Sequence, residues 1–376
     1  MKRDLKFIDD IITKIKYNNT YRKLKFGNII GKYVNIDGKK LLNLCSNNYL
    51  GIENTNIKTI ENTECFSRSI INNPLFKILE SKLANHKIYE RALIYPTGYM
   101  ANIGIIPTII QQNDIILSDE LNHASIIDAC KLSNGKILVY KHNDMEDLES
   151  QIKLKRKRTF IITEGIFSMD GDFANLKQIV EIANKKNAFV IMDDAHGDFV
   201  VGEDGRGSAN YLHVDKNIDV YISSLSKGLG CFGGYVASKN NVIELCINRS
   251  RSFIYTSALP SQLINLALKR LKSNRETYRK KLWQNVNKLK IGLKKSGYQI
   301  NSKSQIIPIT IGDEQKTIEF SKYLLNNNIY AVPIRYPTVA KNTARIRISV
   351  TSNFSKQEIE NIINIFDYGT YKFKLN

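Results

Sequence analysis

Apolar and polar positions alternate in two regimes along the chain. In its middle, short apolar runs recur at Ala92–Tyr95, Ile115–Leu117, Ile137–Tyr140, Phe160–Thr163, Phe189–Met192, Val220–Ser223 and Tyr235–Ala237. Such runs, rich in Ile, Val, Phe and Tyr, predict strands. Between most of them apolar residues return at helical spacing, as in Leu75–His86, Leu176–Lys185 and Val242–Arg251. Strands alternating with helices predict an α/β fold, a mostly parallel sheet covered on both faces.

The flanks read differently. Leu5, Ile8, Ile11, Ile12 and Ile15 outline a basic amphipathic helix, followed by a β segment ending in Leu41-Leu42-Asn43-Leu44-Cys45. From about Pro260 a long helical stretch runs through Leu263, Leu266, Leu268 and Leu271 towards Leu293. Strands near Ile306–Ile311 and Ala344–Val350 and a closing helix near Lys356–Phe366 follow it. The expected division is an N-terminal helix and strand segment, 1–45, a large α/β domain, 46–260, and a small C-terminal α+β domain with a long connecting helix, 261–376.

Composition narrows the function classes. With 376 residues and 43% apolar side chains the chain can bury a substantial core. The longest apolar run, Ile103 to Ile110, is interrupted by Gly104 and Pro107 and falls short of the roughly 20 residues a membrane span needs. The first residues carry no apolar stretch followed by a small-residue cleavage site, so the expected location is the cytoplasm. Five widely spaced cysteines (Cys45, Cys65, Cys130, Cys231, Cys246) suit free thiols, and the histidines lack ligand spacing, so no metal is expected. A formal charge of +19 raises the question of nucleic acid, and Lys153, Lys155, Arg156, Lys157 and Arg158 form a basic cluster. That cluster lacks interleaved aromatics, and lysine is scattered along the whole chain. A solvated helix end is the better reading, with neither nucleic acid nor membrane as partner. The charge surplus still suits polyanionic substrates such as a coenzyme A thioester or an acidic carrier protein.

Four segments carry chemistry. In Ser223-Ser224-Leu225-Ser226-Lys227-Gly228-Leu229-Gly230-Cys231-Phe232-Gly233-Gly234 a single lysine follows a strand in a glycine-rich loop. A lysine there can form a Schiff base, and the hydroxyls of Ser224 and Ser226 can bind a phosphate. In Phe189-Val190-Ile191-Met192-Asp193-Asp194-Ala195-His196-Gly197 a strand delivers a carboxylate to the carboxyl edge of the sheet, where α/β proteins place ligands. Pyridoxal phosphate needs such a carboxylate to keep its ring nitrogen protonated. Tyr95-Pro96-Thr97-Gly98-Tyr99-Met100 opens a helix whose first amides suit a phosphate. Asp119-Glu120-Leu121-Asn122-His123-Ala124-Ser125 places an imidazole at another strand-to-helix turn.

Together with Asn43-Leu-Cys-Ser-Asn-Asn-Tyr-Leu-Gly51, Glu164-Gly-Ile-Phe-Ser-Met-Asp-Gly-Asp172 and Phe253-Ile-Tyr-Thr-Ser-Ala-Leu-Pro260, these segments resemble the α-oxoamine synthases. These are pyridoxal-phosphate enzymes of fold type I that condense an amino acid with an acyl thioester and release carbon dioxide. The resemblance runs from about Asn43 to about Thr351. It implies that Lys227 binds the cofactor covalently, Asp193 pairs with its ring nitrogen, His123 stacks on the ring, and His196 with Ser168 contacts the phenolic oxygen. Gly98, Tyr99 and Ser224 are implied for the phosphate, with Ser257 reaching it from the neighbouring subunit of a homodimer that shares its active sites. For substrate it implies Asn47 and Arg347 at the amino acid carboxylate, Thr338 on the acyl side and Arg22 as a further contact.

Ile334-Arg335-Tyr336-Pro337-Thr338-Val339 with Ala344-Arg345-Ile346-Arg347 points, within that family, to L-alanine and a pimeloyl thioester of coenzyme A or carrier protein. Glycine with acetyl-CoA is the alternative inside the family, and a non-catalytic basic binding protein the alternative outside it. The chain also departs from the family: Asn72 and Phe76 stand where a glycine and a histidine are usual, which predicts a rebuilt loop over Arg68–Pro74. Asp198-Phe199 replaces small residues after His-Gly, and Ala340 a proline.

Overall fold

The structure is a computed structural model describing residues 5–17, 20–22, 24–52, 66–152 and 158–375. Cys65 and Lys153 to Lys157 lie outside the described residues, and Arg158, the last member of the basic cluster, forks onto Asp114 with both contacts at 2.9 Å.

The centre is a seven-stranded sheet in the order Arg91–Tyr95, Gly234–Ser238, Val220–Ser224, Phe189–Asp193, Thr159–Glu164, Ile115–Asp119, Lys136–Tyr140. Only Gly234–Ser238 runs against its neighbours. All seven expected strands are present, each extended by a residue or two at its ends. Their residues are mostly buried because helices cover both faces, one apolar cluster lying on each side of the sheet, except on the edge strand Lys136–Tyr140, which buries only Tyr140.

The expected long helix after Pro260 is two helices, Ser261–Lys272 and Arg275–Lys295. The break is local: Ser273 is extended, and its hydroxyl turns back onto the carbonyl of Arg270. Beyond it, Ile306–Gly312, Ala344–Ser349 and Pro333–Ile334 form an antiparallel sheet. The helix Lys356–Phe373 starts from a capping box in which Ser355 and Glu358 bond each other's backbone amides.

The N-terminal strands Asn28–Ile30, Tyr33–Ile36 and Lys39–Asn43 form a meander, and the last of them pairs in parallel with Ile329–Tyr330. The first and last parts of the chain therefore meet in one sheet. The amphipathic helix is present at Lys6–Tyr17 and buries none of its residues within this chain. Among the described residues no helix is long and apolar enough to cross a membrane.

Candidate active site

At the carboxyl edge of the central sheet the chain leaves the strands by loops whose side chains line a cavity of about 200 Å³. Its wall includes Gly98, Tyr99, His123, Glu164, Asp193, Ser224 and Lys227. Six of these were singled out in the sequence; Glu164 was not.

Two strand ends set its acidic side. Asp193 closes Phe189–Asp193 and sits in register with Glu164, the last residue of the adjacent strand. Asp193 Oδ1 accepts the amide of Ala195 at 2.9 Å, and Oδ2 accepts from the side chain of Asn102 at 2.6 Å. These two donors stabilise a negative charge on a buried carboxylate. Glu164 is buried, and its Oε1 has no hydrogen-bond partner. Burial, then the neighbouring Asp193, push its carboxyl well above the ordinary carboxylate range and favour its protonated form.

The phosphate end is built from a helix start and two hydroxyls. Thr97 caps Gly98–Ile109 by accepting the amide of Met100, which leaves the amides of Gly98 and Tyr99 for an anion. Ser224 Oγ lies 2.7 Å from Ser226 Oγ on the facing loop. A Cβ on Gly98 would stand 3.1 Å from that of Ser224, and one on Gly234 only 2.4 Å from the Gly98 nitrogen. Glycine at these places is what brings helix start, strand and loop together. The Tyr99 hydroxyl turns away and donates to Asp128.

Lys227 and His196 form the basic centre. Lys227 Nζ lies 2.8 Å from His196 Nε2, and His196 Nδ1 lies 2.7 Å from the hydroxyl of the fully buried Tyr49. Arg347, on Ala344–Ser349, donates through Nη1 to Asn47 Oδ1 at 3.1 Å and to Ser349 Oγ at 2.8 Å. Its Nη2 reaches Tyr49 at 3.4 Å, and its Nε donates to the carbonyl of Ser168 at 2.5 Å. Burial first, then the charges of Lys227 and Arg347, hold His196 well below its usual pKa and therefore neutral. With Lys227 donating to Nε2, the imidazole proton sits on Nδ1, and the Tyr49 hydrogen passes on to Asn47 Oδ1, 3.2 Å away. Loss of water lowers Lys227 as well, opposed first by the charge of Asp193. His123 is lowered by burial, again against Asp193.

The sequence motif containing Tyr49 was noticed, but a buried tyrosine reads as core; only the fold shows that its hydroxyl joins Arg347 to His196. Asp194 is likewise a structural neighbour: Ser208 and Tyr221 bond it, and Gly165, Gly197 and Gly207 pack so closely that any Cβ would strike its carboxylate.

His196, Asn47 and Arg347 lie behind Lys227 and do not line the cavity wall, and the remaining expected residues lie outside it as well. Ser168 is half-buried and contributes its carbonyl to Arg347. Thr338 is exposed in a turn, its amide donating to the carbonyl of Arg335 at 2.9 Å. Arg22 is exposed after the first helix. Ser257 is exposed beside Thr256 in a shallow cleft against Arg68 and Phe253. Phe76, at the family's histidine place, is buried beneath the Arg68 guanidinium, 4.1 Å from its ring centre. Arg68 pairs with Glu80 at 2.8 Å, so the altered loop is built around an ion pair and a stacked aromatic. Asp198 pairs with the buried Lys87 and accepts from Tyr235 at 2.5 Å, away from the cavity.

The family model "Aminotransferase class I and II" matches residues 39–366. The 8-amino-7-oxononanoate synthase of Thermoanaerobacter pseudethanolicus is 41% identical over 97% of this chain and 96% of its own. That of Treponema denticola is 40% identical over 96% of both. The chain belongs to the α-oxoamine synthases of this aminotransferase family. It is a pyridoxal-phosphate-dependent acyltransferase. Among solved structures, serine palmitoyltransferase from S. paucimobilis with bound PLP-myriocin superposes with a TM-score of 0.91 at 26% identity, covering all of both chains. The 8-amino-7-oxononanoate synthase of Francisella tularensis gives a TM-score of 0.76 at 29% identity, over 88% of this chain and 98% of that one.

The cavity fits pyridoxal phosphate on its own chemistry. An amine, a twice-bonded carboxylate, an imidazole and a helix start with adjacent hydroxyls are the four partners that an aldehyde, a ring nitrogen, a ring face and a phosphate require. Lys227, Asp193, His123, and Gly98 and Tyr99 with Ser224 would hold these parts.

Proposed function

We propose that this α-oxoamine synthase condenses L-alanine with a pimeloyl thioester, giving 8-amino-7-oxononanoate, carbon dioxide and free thiol. It does so in the cytoplasm, as a homodimer whose subunits share their active sites. The observation that carries this reading is the pairing of Arg347 with Asn47 beside the Lys227–His196 contact. A guanidinium already oriented by a side-chain amide and by Tyr49 presents a fork for a small amino acid carboxylate. When bound, pyridoxal phosphate supplies an electron sink for the pair left on Cα.

The protein's own groups do the rest. Lys227 Nζ, its proton affinity reduced by loss of water, takes the Cα proton and later returns one. His196, neutral and fixed through Tyr49, keeps Nε2 as an acceptor beside that amine. Asp193 holds the compensating negative charge in the cavity floor. Ser257 is exposed and is available to a second subunit, and the apolar side chains Phe7 and Ile11, exposed by 60% and 53%, supply surface for that subunit to cover.

Mass spectrometry of the product formed from alanine and pimeloyl-CoA tests the reaction. The expected product carries the alanine methyl and nitrogen on a nine-carbon ketone acid. Faster turnover of glycine with acetyl-CoA would overturn the assignment. Borohydride reduction of the holoenzyme followed by peptide mapping is expected to label Lys227, and a label elsewhere would remove the basis of the reading.

A further inference from the structure

Asn102 lies on the same face of Gly98–Ile109 as Gly98, one turn further in, and is fully buried. Its side-chain nitrogen is 2.6 Å from Asp193 Oδ2 and 2.9 Å from Ser125 Oγ. One amide nitrogen carries two hydrogens, so Asn102 donates both bonds. Ser125 Oγ, accepting there, has its single hydrogen for His123 Nδ1, 2.7 Å away. The backbone amide of Ser125 donates to the same Nδ1 at 3.2 Å, because His123 is the cap of the helix Ala124–Leu132. With two donors aimed at Nδ1, the neutral imidazole carries its proton on Nε2.

Asn102 Oδ1, by contrast, finds no hydrogen-bond partner although it is buried. An apolar side chain of equal size would fill the space without that penalty. A residue needed only for packing has no use for the amide.

We propose that Asn102 and Ser125 are positioning residues that link Asp193 to His123 in one directed hydrogen-bond chain, fixing the negative charge of the first and the tautomer of the second. The inference rests on the reading that the Lys227 cavity takes pyridoxal phosphate. The helix that offers its first amides to the phosphate thereby also supplies, one turn later, the donor that steadies the ring's carboxylate. A single element sets both ends of the cofactor's seat.

The direction of the chain makes it testable in the holoenzyme. In Asn102→Asp the donor is lost and an acceptor takes its place, whether or not the new carboxyl is protonated towards Asp193. Ser125 Oγ–H turns to that acceptor, and His123 Nδ1 keeps the Ser125 backbone amide as its one remaining donor. The Nδ1 nitrogen shift of His123, assigned by its loss in His123→Gln, is expected to move downfield as this acceptor loses one hydrogen bond, with the proton still on Nε2. In a Ser125→Ala background, where that hydroxyl donor is already gone, Asn102→Asp is expected to leave the shift where it is, a dependence no merely structural defect would give.

Asn102→Ala takes one of two donors from Asp193. The weakened positive charge on the ring nitrogen lets the cofactor's other basic groups keep their protons to higher pH. The visible absorbance of the bound cofactor is then expected to titrate about one pH unit higher. His123 shifts unchanged in Asn102→Asp, or an absorbance midpoint unchanged in Asn102→Ala, would overturn the proposal. Should the wild-type protein take up no cofactor, the reading of the cavity fails, while the His123 shifts still decide the hydrogen-bond chain. Ser125→Ala alone deletes one oxygen, and its circular dichroism and thermal midpoint serve as the folding control.

Discussion

Single residues at the sheet edge differ in how much of their role their identity reveals. Lys227 and Asp193 stand out in the sequence only because four segments suited to one cofactor occur together, since a lysine in a glycine-rich loop or an Asp at a strand end is ordinary by itself; the fold brings both to one cavity. Asp193→Asn keeps the shape and removes the charge. It is expected to lower turnover by roughly a thousandfold, about 4 kcal/mol in the transition state. Steady-state rates check this, and a loss under tenfold would count against the role. Glu164 was not legible, since its chemistry depends on a register that sets it beside Asp193. Its raised pKa favours the protonated carboxyl, which resembles an amide more than a carboxylate does. Glu164→Gln is therefore expected to stay within about threefold of the parent rate, whereas Glu164→Ala, which leaves the backbone amide of His123 without its acceptor, loses ten- to a hundredfold. The reverse order in a kinetic comparison would show that the charged form matters.

At the scale of elements, the sequence announced the strands but neither their order in the sheet nor the pins between loops. His142 follows Lys136–Tyr140, and its Nδ1 and Nε2 lie 2.9 Å from Asp119 and 2.9 Å from Asp172. Its ring also meets Phe167 edge-on at 4.4 Å. It thereby clamps the segment Glu164–Asp172, whose Ser168 carbonyl orients Arg347. Burial alone would lower the pKa of His142, but the bonds to Asp119 and Asp172 prevail and raise it to about 10. A group raised in the folded state stabilises fully below its unfolded value near 6.5 and loses that contribution as pH climbs through 10. Urea unfolding is expected to show wild-type stability falling across that window by on the order of 3 kcal/mol more than in His142→Asn. Parallel pH profiles for the two proteins would refute the clamp. No local pattern encodes it, because the three residues meet only when two strands and a loop are in place. The break between Ser261–Lys272 and Arg275–Lys295 was missed for another reason: the apolar spacing continues across Ser273 and Asn274, and only their backbone conformation interrupts it.

For the molecule as a whole, periodicity revealed an α/β centre with a smaller α+β part, and a resemblance supplied the family. What neither could supply is how distant segments close on each other. Arg347 and Asn47 are 300 positions apart yet share a hydrogen bond. The apolar face of Lys6–Tyr17 has the spacing of a buried helix, yet none of its residues is buried among the described residues. If a second subunit covers it, Phe7→Ser with Ile11→Ser is expected to raise the dimer dissociation constant at least about tenfold, measured by sedimentation equilibrium. An unchanged constant would place the interface elsewhere.

The parallel pairing of Lys39–Asn43 with Ile329–Tyr330 has a consequence for biosynthesis. During translation the early meander leaves the ribosome with one strand edge bare, and its mate is not made until most of the polypeptide has emerged. That edge is open to wrong pairing for the whole interval, so nascent chains stalled short of residue 330 should be the species that chaperones must shield.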